Sequence, residues 1–239
     1  MKKIIAIILA LACVFAFVSC DNNTDEVTIE QHVANTSTKY QNSDPTRIEM
    51  EYSIKLGATT LSGEYLFQKG LLDVDKNATV EDYTEQTLAS VEDGATENKT
   101  PETKSTNVRR EYVDGKGVRT ITDSKASKWD GSGVDFAPQT GAIAAAMNLD
   151  FSKLSNVTYE NGVLSFVVPL ANVVAVFGES CNSQSDVSVT IKDDGAVITE
   201  VTVAYTIVND DTKKVDYPDG EISMTVKYSY GIESITLYK

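Results

Sequence analysis

The sequence predicts a mainly β chain of the α+β class, one antiparallel meander of 8–11 strands with two or three short helices. Three observations predict it. From position 47 to 56, Ile48, Met50, Tyr52, Ile54 and Leu56 alternate with Arg47, Glu49, Glu51, Ser53 and Lys55, the period-two pattern of a sheet with one wet face. The turn dipeptides Asp114-Gly115, Asn161-Gly162 and Asp194-Gly195 separate strand-like runs, so sequence neighbours pair as hairpins. Two apolar stretches, 138–149 and 169–177, break the alternation and carry helical signals instead.

The N-terminus comes first. Lys2 and Lys3 precede an apolar run over 4–18, short of the ~20 residues that span a bilayer and suited to a signal peptide. Phe17-Val18-Ser19-Cys20 ends the run and resembles a bacterial lipobox, in which the cysteine is acylated and becomes the first mature residue. Cys13 follows too short an apolar run for that role. The expectation is a signal peptide over 1–20, a flexible polar tether over 21–26, and one lipoprotein domain over 27–239. Cys20 would be its lipid anchor to the membrane, on the extracytoplasmic side of a bacterial cell envelope. Two or three acyl chains hold a protein on a bilayer stably, at ~0.8 kcal/mol per buried methylene. The leaflet stays open.

The chain carries a net charge of −14; removing 1–20 takes away two lysines and no acid, which leaves −16. Phosphate backbones and anionic headgroups repel such a surface, so nucleic acid is not an expected partner. Of three cysteines, Cys13 leaves with the leader and Cys20 takes the lipid, so Cys181 has no internal disulfide partner.

Residues 27–36 read as a short helix with Val27 or Thr28, Ile29 and Val33 on its apolar side, and Asp44-Pro45 as a turn. After the strand at 47–56, residues 60–68 continue with Leu61, Tyr65 and Phe67. Residues 73–106 hold nine acids and three lysines, and read as a strand near 80–88 followed by a long acidic loop. Further strands are expected at 108–113, 118–122, 154–160, 163–168, 187–191 and 197–208, then from 222 to 230 and 232 to 237. Pro138 to Leu149, with Ile143, Met147 and three consecutive alanines, favours helix. In 169–177, Leu170, Val173, Val174 and Phe177 fall at i, i+3, i+4 and i+7, with Pro169 suited to the first turn and Gly178 to the stop. The valines favour strand, the spacing helix; the spacing decides.

The order of tether, short helix, long hairpins and then apolar helices between later hairpins resembles the LolA/LolB-like and LppX-like envelope lipoproteins. The closest echoes are Leu61-Ser62-Gly63-Glu64-Tyr65, Tyr112-Val113-Asp114-Gly115 leading to Trp129, and the helical segment 141–149 before the Asn161-Gly162 hairpin. The resemblance implies a curved half-barrel with helices packed on its concave face. It also implies a hydrophobic or amphiphilic ligand, a lipid or acyl chain, held between sheet and helices for transfer, storage or sensing. Its apolar lining would come from Met50, Tyr52, Ile54, Trp129, Ile143, Met147, Leu170, Val173, Val174 and Phe177. The same apolar stripes also describe a filled core. The alternative function is then a non-catalytic scaffold, meeting an envelope protein partner through its acidic, tyrosine-containing surface.

Enzymatic chemistry has little support. His32 is the only histidine and lies beside the tether, so a Ser-His or Cys-His nucleophile is not expected. No Cys/His spacing suits zinc. Asp73-Val74-Asp75-Lys76-Asn77 starts like a calcium loop, but Ala78 replaces the required glycine and Thr84 the bidentate glutamate. No metal and no cofactor are expected, and the chain reads as no enzyme.

Overall fold

The structure is a computed structural model that describes residues 27–56, 59–72, 76–88, 103–138, 149–178, 183–207, 220–231 and 233–239. A single twelve-stranded sheet organises them. The strands are β1 (Arg47–Leu56), β2 (Thr59–Leu72), β3 (Lys76–Leu88), β4 (Thr103–Val113), β5 (Gly117–Thr122) and β6 (Lys125–Ala126) in one arm. The other arm holds β7 (Ser155–Glu160), β8 (Val163–Val168), β9 (Val187–Asp193), β10 (Ile198–Ile207) and β11 (Gly220–Ser229), and β12 (Glu233–Ser234) follows. Each arm is a meander. The seam between them pairs β1 with β11 over ten residues, from Arg47 opposite Ser229 to Leu56 opposite Gly220. The order across the sheet is β6-β5-β4-β3-β2-β1-β11-β10-β9-β8-β7, with β12 parallel to the end of β2, and the sheet does not close into a barrel.

Local chemistry sets the turns. Asn161 and Gly162 adopt φ of 50° and 78°, the pair of positive values that a two-residue hairpin of type I′ requires. Asp123 and Ser124 do the same between β5 and β6, a hairpin without the glycine that would have marked it in the sequence. After β9, the Asp194 carboxylate accepts from the main-chain N–H groups of Ala196 and Val197.

Helix α1 (Ile29–Gln41) is longer than the expected 27–36 and presents a different face. Thr28 caps it, with its hydroxyl accepting from Gln31 N and its own N–H donating to the Gln31 side chain. Val27 and Ile29 are exposed; the buried stripe is Val33, Thr36 and Ser37 with Tyr40 packed alongside, again at i, i+3, i+4 and i+7. The expected helix over 169–177 splits into a 3-10 turn (Leu170–Asn172) and the short α2 (Val173–Phe177), and Gly178 stops it with φ of 75°. The expected helix over 138–149 falls on residues outside those described, apart from Pro138 and Leu149.

The two faces of the sheet differ sharply. Both helices pack on the face carrying Ile48, Phe67, Leu164, Phe166, Val189, Ile191, Val201 and Val226, all buried in one cluster with Val33, Val173, Val176 and Phe177. Fully burying such side chains stabilises by about 1.5–3 kcal/mol each. A second, small cluster lies on the opposite face. There the tail after β12 crosses β3 and β4, and Ile235 is buried with Ala78, Val80 and Val113 while Trp129 and Leu237 pack against them. The tail was expected to continue as a strand over 232–237; it pairs only at Glu233 and Ser234 and then turns to cover these residues.

Within 73–106, the strand near 80–88 starts earlier, at Lys76, and the next begins at Thr103. Residues 73–75 and 89–102 lie outside the description.

Candidate functional site

The residues expected to line a ligand space divide into four groups. Met50, Tyr52 and Ile54 are half-buried and share the helix-bearing face of β1, and Met50 packs against the main cluster. The Tyr52 ring lies over Gly63, its partner across β2, where an added Cβ would come 2.2 Å from the Tyr52 hydroxyl. Val173 and Phe177 are fully buried in the core, whereas Leu170 is 48% and Val174 60% exposed. The i+4 side of that segment therefore points to solvent, because α2 is only five residues long and turns Val176 inward instead. Trp129 is a correction: it packs with Ile235 on the face opposite the helices, not beneath one of them. There the Arg119 guanidinium sits 4.7 Å and the Lys116 ammonium 5.7 Å from its ring, so cations cover its surface. Ile143, Met147 and Cys20 lie outside the described residues.

A recess of about 410 Å³ opens on the helix-bearing face, walled by Phe67, Lys69, Thr79, Phe136 and Pro138. Lys69 forms an ion pair with Asp44 at its rim. Beside it, Glu81 faces Phe67 across the ladder and has no exposed surface. Its Oε2 accepts from Arg110 at 2.8 Å, while its Oε1 meets no donor among the described residues. Phe136 stacks on the Arg110 guanidinium at 4.5 Å. Sequence reasoning missed Phe136 and Glu81: alternation in β3 sets Glu81 opposite Ala78 and Val80 and so reads it as surface, and only its pairing with Phe67 across the ladder places it on the apolar side.

The opposite face is polar and carries two larger recesses. One of about 670 Å³ is bordered by Glu49, Leu66, Asp82, Arg109, Lys227 and Tyr238. The other, about 490 Å³, adjoins it through Glu51, Glu64 and Thr84, which border both. Arg109 joins Asp82 and Glu111 at 2.7 Å each. Burial pushes the Asp82 carboxyl above its ordinary value, Arg109 pulls it back, and Glu111 adds to the rise. Under α1, Tyr40 meets Tyr228 edge to face, and burial raises both phenols. His32 stacks on Tyr159 with ring centroids 3.7 Å apart, which makes it a docking contact of α1. No group of three metal-ligating side chains occurs among the described residues.

No family model and no curated protein matches the chain. Among solved structures, a DUF1329 family protein from Desulfovibrio piger aligns over 85% of this chain and 95% of its own, at 9% identity and a TM-score of 0.25. A domain assigned as an outer membrane lipoprotein-sorting protein from Vibrio parahaemolyticus aligns over 86% of this chain and 95% of its own, at 11% identity and a TM-score of 0.26.

Proposed function

We propose that this chain is an envelope lipoprotein, acylated at Cys20, that binds a hydrophobic or amphiphilic ligand on the helix-bearing side of its sheet. The observation that carries the reading is the recess between Phe67 and Phe136. It lies on the apolar face, and its volume of about 410 Å³ falls within the size range of small-ligand sites. Phe67 and Phe136 supply carbon for an acyl chain, and Lys69 and Asp44 supply charge where a headgroup would emerge. Met50, Tyr52 and Ile54 extend the same face along β1. Val173 and Phe177 act beneath it as core rather than as contacts. The function is binding, in transfer, storage or sensing, without a chemical step.

The test uses the native acylated protein, purified from membranes and extracted with organic solvent for lipid analysis. Co-purifying lipid, or displacement of a fluorescent fatty-acyl probe that weakens in Phe136→Ala, supports the reading. The absence of both co-purifying lipid and probe binding overturns it. Metabolic labelling with an alkynyl fatty acid tests the anchor, and Cys20→Ser must abolish the label.

A second reading is favoured by one observation, the polar trough on the other face, whose two recesses are each larger than the apolar one. In that reading the lipoprotein is a scaffold that meets an envelope partner along Glu49, Glu51, Glu64 and Lys227. Cross-linking from a photoreactive residue at position 64, against one at 67, separates the two readings.

A further inference from the structure

Seven large apolar side chains are exposed among the described residues, and five of them, Val27, Ile29, Phe151, Leu170 and Val174, fall on three segments packed in succession. Val27 and Ile29 open α1. That helix lies against the 3-10 turn Phe151–Lys153 and against β7. Asn172 then ties the turn carrying Leu170 to the first, with its side chain donating to Lys153 O at 3.0 Å. Scattered exposed apolar residues are ordinary on any surface; a set gathered along linked segments is not.

The length of chain ahead of Val27 says what covers this patch. Seven peptide steps separate Cys20 from Val27, a reach of at most about 25 Å. The eleven strands of the main path, at about 4.8 Å spacing, extend about 48 Å across. A domain held at Cys20 on so short a lead keeps the β7 edge at the bilayer and the β6 edge away from it. The patch lies at the β7 edge, where His32 of α1 stacks on Tyr159.

We propose that Val27, Ile29, Phe151, Leu170 and Val174 form a membrane-resting surface that seats the domain on the bilayer interface. The proposal rests on the acyl anchor at Cys20. The occupant is a lipid surface met through its apolar boundary. Charges beside the patch are Glu30, Asp150, Lys153 and Asp186, of which three are acidic, so anionic headgroups are not what it recognises. Contact is therefore insensitive to salt and needs no anionic lipid.

The experiment reconstitutes the native acylated chain, carrying Cys181→Ser, into phosphatidylcholine vesicles. Spin labels are placed singly by Leu170→Cys, Val174→Cys or Val134→Cys. Val134 is 78% exposed but follows Gly133, which packs on Val118 of β5 in the far arm. The expected result is at least a several-fold higher ratio of oxygen to nickel-chelate accessibility at 170 and 174 than at 134, unchanged in high salt. Equal ratios at all three positions on vesicle-bound protein overturn the membrane-resting surface and leave the anchor intact. Protein that fails to float with the vesicles overturns both. The ligand recess is judged separately by its own lipid extraction.

Discussion

Glu111 Oε1 accepts the main-chain N–H of Tyr238 at 2.7 Å, joining β4 to the tail across 127 positions of sequence. The same carboxylate takes Arg109 on Oε1 and Arg119 on Oε2, at 2.7 Å each, and has no exposed surface. The two arginines reach on to the carbonyls of Thr236 and Tyr238. One buried carboxylate thus fastens both arginines and the backbone of the tail.

Glu111→Gln keeps an acceptor for Tyr238 but removes the charge between the two guanidinium groups. Breaking a buried ion pair from one side costs about 3–5 kcal/mol, and partly exposed arginines put this case near the lower end. Urea unfolding is expected to show that loss. Faster exchange of the amides of Ile235 and Tyr238 is expected with it.

Gly63→Ala drives a methyl into the Tyr52 ring across the ladder. Overpacking of this kind costs about 1–3 kcal/mol. In a Tyr52→Ala background the same change is expected to be close to neutral. A double-mutant cycle with no coupling would refute the contact.

Phe177→Ala removes a fully buried ring from the core and is expected to cost about 3–5 kcal/mol. Val174→Ser, three positions earlier on the exposed side, is expected to stay within about 0.5 kcal/mol. Thermal melts of the two variants side by side check which face of α2 is inward.

Asp194 supplies a pH test. Its carboxyl lies below its ordinary value of 3.8 because the Val197 and Ala196 N–H groups donate to it. A carboxyl whose folded pKa is depressed stabilises fully above the unfolded value, and the contribution is lost as pH falls through the folded one. The stability difference between the native chain and Asp194→Asn is therefore constant from neutral pH down to about 4. Below that it should shrink. A difference that grows on acidification would contradict the hairpin geometry.

The meander was legible because its signals are local. Alternation in β1 and the Asn161-Gly162 turn each specify a face or a reversal within a few residues, and both are present as expected. The capping box at Thr28 and Gln31 is equally local but went unread, since Thr28 was counted toward the apolar side, and the inward face of α1 was misread with it. Hydropathy favours Val27 and Ile29 over Thr36 and Ser37, yet the first pair is exposed and the second buried. The pairing of β1 with β11, the tail over Val80 and Val113, and the position of Trp129 all depend on residues 100 or more apart. No spacing rule encodes such contacts. Glu81 and Glu111 escaped for a related reason: a carboxylate in a strand reads as surface until its arginines are placed around it.

The seam between β1 and β11 has a temporal consequence. Either arm can zip up from its own hairpins, but the central ladder closes a loop of more than 160 residues, and long closures are slow. If the chain emerges on the far side of a membrane N-terminus first, its opening strand waits without its partner on one side until nearly the last residues arrive. Throughout that interval an unmated edge rich in Ile48, Met50 and Ile54 needs shielding, so a chain delivered in that order should depend on a holdase where it emerges far more than its finished form does.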